Sequence, residues 1–183
     1  MKALFALVPC LIVFLASVEL APIVIQQKSR AILVKPNTNQ RWKNELVNQV
    51  KSFESFKSHP YRCPAGVLTV GYGHTGKFAS SALTKQRAED LLKKELEECR
   101  AIVRRNVKVP LTENQICALV SFTYNCGEKN LRSLINGKSR LNSGNYKSVS
   151  KLMPLYSKAN GKTLKGLVKR RVLEVSMWNG DLI

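Results

Sequence analysis

A change of period just after Phe53 constrains the fold more than any other feature of this chain. Upstream, Trp42, Leu46, Val47, Val50 and Phe53 recur at helical spacing. Downstream, Val67, Leu68, Val70 and Tyr72 make a short β-branched and aromatic run, entered through the turn signal Pro64-Ala65-Gly66 and closed by glycines. One helix giving way to a small hairpin or three-stranded meander, with helices after it, is an α+β pattern. The first helix is expected to stop at Ser58-His59-Pro60, because a residue preceding proline is pushed out of the helical region, with Glu54 and Phe56 on its last turns.

Helices dominate beyond the β run. Thr84 caps a helix of about 20 residues, long enough to bridge two lobes, whose stripe is Ala88, Leu91, Leu92, Leu96, Cys99, Ile102 and Val103. Glu89/Lys93 and Asp90/Lys94 are supportive i,i+4 pairs on its outer side. Thr112 and Gln115 have the spacing of a capping box. The helix they open, through Ile116, Ala118, Leu119, Val120, Phe122 and Tyr124, is apolar on nearly all sides and is expected at the centre of the core, ending at Gly127. Asn160-Gly161 precedes a last helix with Leu164, Leu167, Val168, Arg171, Val175 and Trp178 on one face. A cleft is expected between a small β lobe and a larger helical lobe.

The 183 residues, 44% hydrophobic, suit one globular domain with an appendage. Lys2 followed by the apolar run Ala3–Leu20 has the layout of an export signal, so residues 1–21 are expected to be a cleaved signal or an uncleaved anchor, since roughly 18 apolar residues just reach across a bilayer. Residues 22–40 are polar and basic and read as a tether, which leaves 41–183 as the domain. The net charge of +18 favours polyanionic partners. Without an aromatic-interleaved basic helix, it does not point to a specific nucleic acid. Cys10, Cys63, Cys99, Cys117 and Cys126 form neither a CxxC metal signature nor a disulfide scaffold, and Cys117 and Cys126 are too far apart along one helix to bond each other.

From Ser55 to Ala88 there is no Asp or Glu, so Glu54 is the one carboxylate of its stretch. A Glu at a helix end is ordinarily a solvated surface residue. At a junction of helix and sheet, however, low dielectric favours the proton-bearing form a general acid needs. Taken singly, Cys63 reads as a small buried hydrophobe, Thr69 as an ordinary strand residue and His74 as a structural histidine. A zinc site from His59, Cys63 and His74 matches no common ligand spacing, and no metal or other cofactor is expected.

Order and spacing tie these residues together. Glu54, Cys63 and Thr69, followed by VGYGHTG, resemble the catalytic signature of the phage-type lysozymes, the endolysins of tailed bacteriophages. The similarity continues through TENQICALVSFTYNCG and KANGKTLKGLVKRRVLEVSMW. It implies a lysozyme-like fold and hydrolysis of the β-1,4 bond between N-acetylmuramic acid and N-acetylglucosamine in peptidoglycan, with Glu54 as general acid and Thr69 holding the attacking water. It also implies a bracing role for His74, saccharide contacts at Tyr124 and Asn125, and an anchoring role for the paired Arg170 and Arg171. Cys63 stands where the family has Asp or Cys. An ordinary thiol, of pKa about 8.5, is only a few per cent ionised at neutral pH, which leaves three roles open: water positioning, base or nucleophile. The resulting expectation is an exported, monomeric muramidase drawn to anionic wall polymers, with membrane contact through residues 3–20. The alternative is a non-catalytic cationic wall-binding or membrane-active protein on the same fold.

Overall fold

The described residues form five α-helices, a three-stranded sheet and a small second hairpin, within one compact unit, Val34–Ile183. The computed structural model describes residues 38–63, 66–76 and 79–180, with side chains from Asn44 onward. The expected export segment at 1–21 with Cys10, the tether up to residue 37, the side chain of Trp42 and the Pro64-Ala65 step lie outside the described residues.

Helix α1 spans Thr38–Phe53, beginning within the stretch expected as tether. It buries Leu46, Val47 and Val50. It stops earlier than Ser58-His59-Pro60. The Glu54 amide still donates to Val50 O at 3.0 Å, closing the last turn, but Phe56 lies outside the helix and Lys57–Arg62 form strand β1. Pro60 is tolerated there because β1 is an edge strand, and the residue without an N–H falls where the β1–β2 register slips between Lys57 and Tyr61. Strand β2, Leu68–Gly71, is central, and β3, His74–Thr75, completes the antiparallel sheet. Gly71 has φ +67°, and a Cβ there would sit 3.0 Å from the Ala88 Cβ, so glycine lets helix α2 close against the sheet.

Helix α2 covers Lys85–Asn106, its first turn capped by Thr84 accepting from the Arg87 amide. Its buried stripe is the expected one except that Ile102 is only partly buried and Arg100 is added, and Arg100 pairs at 3.1 Å with Glu113 at the start of α3. Helix α3, Glu113–Ile135, carries the Thr112–Gln115 capping box and buries every residue from Cys117 to Thr123. Gly127, at φ 78° and ψ 166°, is non-helical and ends the first, central part of α3 as expected, and a second helical segment beyond the kink buries Leu131, Leu134 and Ile135.

Short α4, Lys147–Leu152, leads to a hairpin of β4, Lys158–Ala159, and β5, Lys162–Thr163. Asn160 at φ 49° and Gly161 at φ 76° form its two-residue turn, so the Asn-Gly pair makes a hairpin and not merely a helix boundary. Helix α5, Lys165–Asn179, faces α3 differently from the apolar stripe expected. Leu164 and Val168 are exposed, and Arg170, Arg171, Glu174, Met177 and Trp178 are buried. An ion network replaces apolar packing on that side: Glu174 accepts from Ser121 Oγ at 2.7 Å and lies within 3.1 Å of both arginines.

Candidate active site

A cleft of about 460 Å³ opens where the end of α1, the sheet, α2 and α3 meet. Glu54, Cys63, Thr69, Tyr124 and Asn125 all line it. His74 stands behind the wall: its Nδ1 is 2.6 Å from Glu95 Oε1, tying β3 to α2.

Glu54 reaches the cleft because α1 ends at Phe53 and the chain turns towards the sheet. Its Oε1 accepts from Arg170 Nη1 at 2.6 Å. Arg170 is almost wholly buried and shared, with Nε donating to Glu174 at 3.1 Å, Nη2 donating to Ser121 O at 3.1 Å and the guanidinium over the Phe53 ring at 5.0 Å. The second Glu54 oxygen lies 3.7 Å from where a Cβ of Gly73 would stand, at a residue with φ +93°. Glycine at 73 therefore keeps the space beside the carboxylate open.

The opposing residues sit on the β1–β2 hairpin. The Cys63 amide donates to Val67 O at 3.0 Å and its carbonyl accepts from the Gly66 amide at 2.8 Å, which fixes the half-exposed Cys63 at the hairpin mouth. Buried Thr69 donates its hydroxyl hydrogen to the same Val67 carbonyl at 2.9 Å. With its one hydrogen committed, Oγ1 presents only lone pairs to anything else that approaches. Tyr61 lies nearby on β1. Burial, then the charge of Glu54 and of Cys63, pushes its phenol up from the ordinary tyrosine value and keeps it neutral.

The helical wall is held as firmly. Tyr124 donates to Tyr72 O at 2.7 Å, with Glu95 Oε2 at 3.3 Å, linking α3 to the turn between β2 and β3. Burial and the neighbouring Glu95 and Glu54 raise its phenol far above the usual range, so it stays a donor. Asn125 is exposed, and its Oδ1 accepts from Arg171 Nη2 at 2.9 Å, which leaves the amide NH₂ for a ligand. Among the described residues no three of His, Cys, Asp and Glu converge to hold a metal ion.

The cleft also contains residues that the sequence reading did not single out. Glu54 is the one carboxylate of its own stretch but not of the cleft, since Glu95 and Glu98 of α2 line it too. Glu95 carried a signal: Leu91 and Cys99 stand four residues to either side, so it borders the apolar stripe with no cationic i,i+4 partner. Tyr61 and the Arg170–Glu54 contact carried none, the latter joining residues 116 apart.

A helix-end carboxylate and a sheet-borne hydroxyl sharing one cleft, under a roof of helices, form the layout of a lysozyme-like glycoside hydrolase. The chain belongs to the phage lysozyme family, whose model, described as Phage lysozyme, matches residues 51–174. It is similar to an endolysin of Acyrthosiphon pisum secondary endosymbiont phage 1, at 35% identity over 134 residues that cover 70% of this chain and 91% of that protein. A SAR-endolysin of Escherichia phage Mu is 36% identical over 127 residues, 69% of this chain and 74% of that protein. Among solved structures, the muramidase domain of SpmX from Asticaccaulis excentricus superposes with a TM-score of 0.64 at 31% identity, covering 73% of this chain and 94% of that one. The chain spans about half the length of two endolysins it also matches, from Bacillus phages PZA (53%) and B103 (51%).

Proposed function

We propose that this phage lysozyme family member hydrolyses the β-1,4 bond between N-acetylmuramic acid and N-acetylglucosamine in peptidoglycan by direct attack of water, with Glu54 as general acid and Thr69 and Cys63 holding the water. Glu54 gives its proton to the leaving glycosidic oxygen as the bond to the anomeric carbon breaks. Arg170, which Glu174 also contacts, holds the Glu54 carboxyl at the edge of the cleft. On the opposite side of the sugar, a water donates one hydrogen to the Thr69 Oγ1 lone pair and bonds through its oxygen to the anomeric carbon. Its other proton passes to the Cys63 thiolate and then to solvent. The observation that carries this reading is the commitment of the Thr69 hydroxyl to Val67 O, which makes Thr69 an acceptor for water and not a donor to it. Tyr124 and Asn125 contact the saccharide from the helical wall, with Asn125 donating through its amide, while His74 braces the sheet through Glu95.

The same reading places the enzyme outside the cytoplasm, exported through the apolar run at 3–20 and held at the membrane while that run is retained. Similarity to SAR-endolysins supports export. The +18 charge draws the monomeric enzyme to anionic wall polymers, an attraction that weakens with salt.

Proton NMR of the product, taken before mutarotation, tests the chemistry. Water attack gives inversion at the anomeric carbon. Cys63→Asp, which supplies a stronger base at the same place, is expected to raise the rate with inversion kept, and Cys63→Ser to lower it. Retention in the wild type, lost in Cys63→Ser, would instead identify Cys63 as a nucleophile that forms a covalent intermediate.

A further inference from the structure

Helix α5 and its N-cap present three apolar residues to solvent on the side opposite the buried face of the helix. Leu164, Val168 and Val172 are 42%, 40% and 61% exposed, and they recur every four residues. Lys165 and Lys169 run beside them, both exposed and, among the described residues, without an ion-pair partner. At 3.6 residues per turn these five positions fall within an arc of about 140°, and Arg170, Arg171, Glu174, Met177 and Trp178 occupy the arc across the helix. The buried arc includes the arginine that holds Glu54, so the exposed one faces away from that contact.

The surroundings are uniformly basic. From Lys129 to Leu173 every charged side chain is Lys or Arg, and Glu174, which closes that run, is fully buried between its two arginines. The β4–β5 hairpin that feeds α5 adds exposed Lys162.

We propose that this face of α5 docks on the surface of an anionic phospholipid bilayer. Charge complementarity accounts for the lysines, whose stems lie along an apolar surface while their ammonium groups meet lipid phosphates. The apolar residues decide between a bilayer and a soluble polyanion. A wall polymer in water gains nothing from Leu164, Val168 and Val172, whereas a bilayer interface removes them from water while leaving the lysines at the headgroups. Docking in this orientation uses none of the residues that line the cleft.

Lysine acetylation of the full-length protein, mapped residue by residue by mass spectrometry, tests the face itself and is blind to membrane contact elsewhere in the chain. Vesicles containing phosphatidylglycerol are expected to protect Lys165 and Lys169, and vesicles of phosphatidylcholine alone are not. In the triple variant Leu164→Ser, Val168→Ser, Val172→Ser, which changes exposed side chains and no charge, the protection should weaken roughly tenfold or more. The release of reducing ends from purified peptidoglycan should stay at the wild-type rate, which separates this docking from the catalytic reading. Lysines left unprotected by anionic vesicles overturn the proposal. Equal protection in the triple variant, or protection reproduced by soluble polyphosphate, overturns it as well, because charge alone would then suffice.

Discussion

At the scale of single residues, the cleft is built from groups whose bonding partners limit what they can do. Thr69 has no hydrogen left to donate, Tyr124 has its hydrogen on Tyr72 O, and Asn125 has its oxygen on Arg171. What remains for a saccharide or water is an acceptor at Thr69 and a donor at Asn125. The thiols divide in the same physical way. Burial pushes Cys99 and Cys117 up to about 12, so both stay protonated at pH 8; Cys99 borders the cleft but is buried there, while half-exposed Cys63 opens on it. Iodoacetamide applied to the native protein at pH 8, followed by peptide mapping, is expected to label Cys63 and to leave Cys99 and Cys117 unlabelled until denaturant is added. Glu174 shows how strongly one buried group can matter. Its carboxylate is fully buried and is the shared counter-charge of Arg170 and Arg171. Glu174→Ala would leave two guanidinium groups buried without it, a change expected to cost about 3–5 kcal/mol, read from urea unfolding.

At the scale of elements, contacts between helices hold the walls of the cleft in place. Lys51 of α1 meets Glu89 of α2 at 2.7 Å, and Lys93 joins the same carboxylate at 3.0 Å. The hydrogen bond from Lys51, then that from Lys93, draws the Glu89 carboxyl below its ordinary 4.5. A lowered carboxyl contributes stability that is present above the unfolded-state value and lost as pH falls through the folded one. Glu89→Gln should therefore melt below the wild type at pH 7, with the gap closing under pH 4 in thermal scans. The elements most legible in the sequence are those specified locally. Thr84 and Thr112 cap the helices they were expected to cap, and the α2 stripe follows its 3.6-residue period, because neighbouring residues in the chain determine both. Strand β1 was not legible: KSHPYR has no alternating apolar residues, and it becomes a strand only because β2 is there to pair with it. The buried side of α5 was legible only in part, at Arg171, Trp178 and the anchoring role implied for the arginine pair, for a related reason. Its charges are stable inside only because Ser121 and Glu54 arrive from distant parts of the chain.

At the scale of the whole molecule, a small sheet and a helical body bring the Glu54 carboxylate, the Thr69 hydroxyl and the Cys63 thiol from two neighbouring segments to a single cleft. The helical wall of the cleft is anchored through Arg171 and its near edge through Arg170, both from the last helix. The Glu54–Cys63–Thr69 spacing announced the cleft because those residues are close in sequence. The remote supports were silent, since ion pairing across 116 residues leaves no periodicity to read. Loss of Glu54 is the change that bears most directly on the whole account. Reducing ends released from purified peptidoglycan should be measured for the wild type and for Glu54→Gln, with circular dichroism showing both folded. A fall of about 100-fold or more in the variant is expected, as for removal of a general acid. Release at an undiminished rate by folded Glu54→Gln would contradict the assignment of Glu54 and the mechanism built on it.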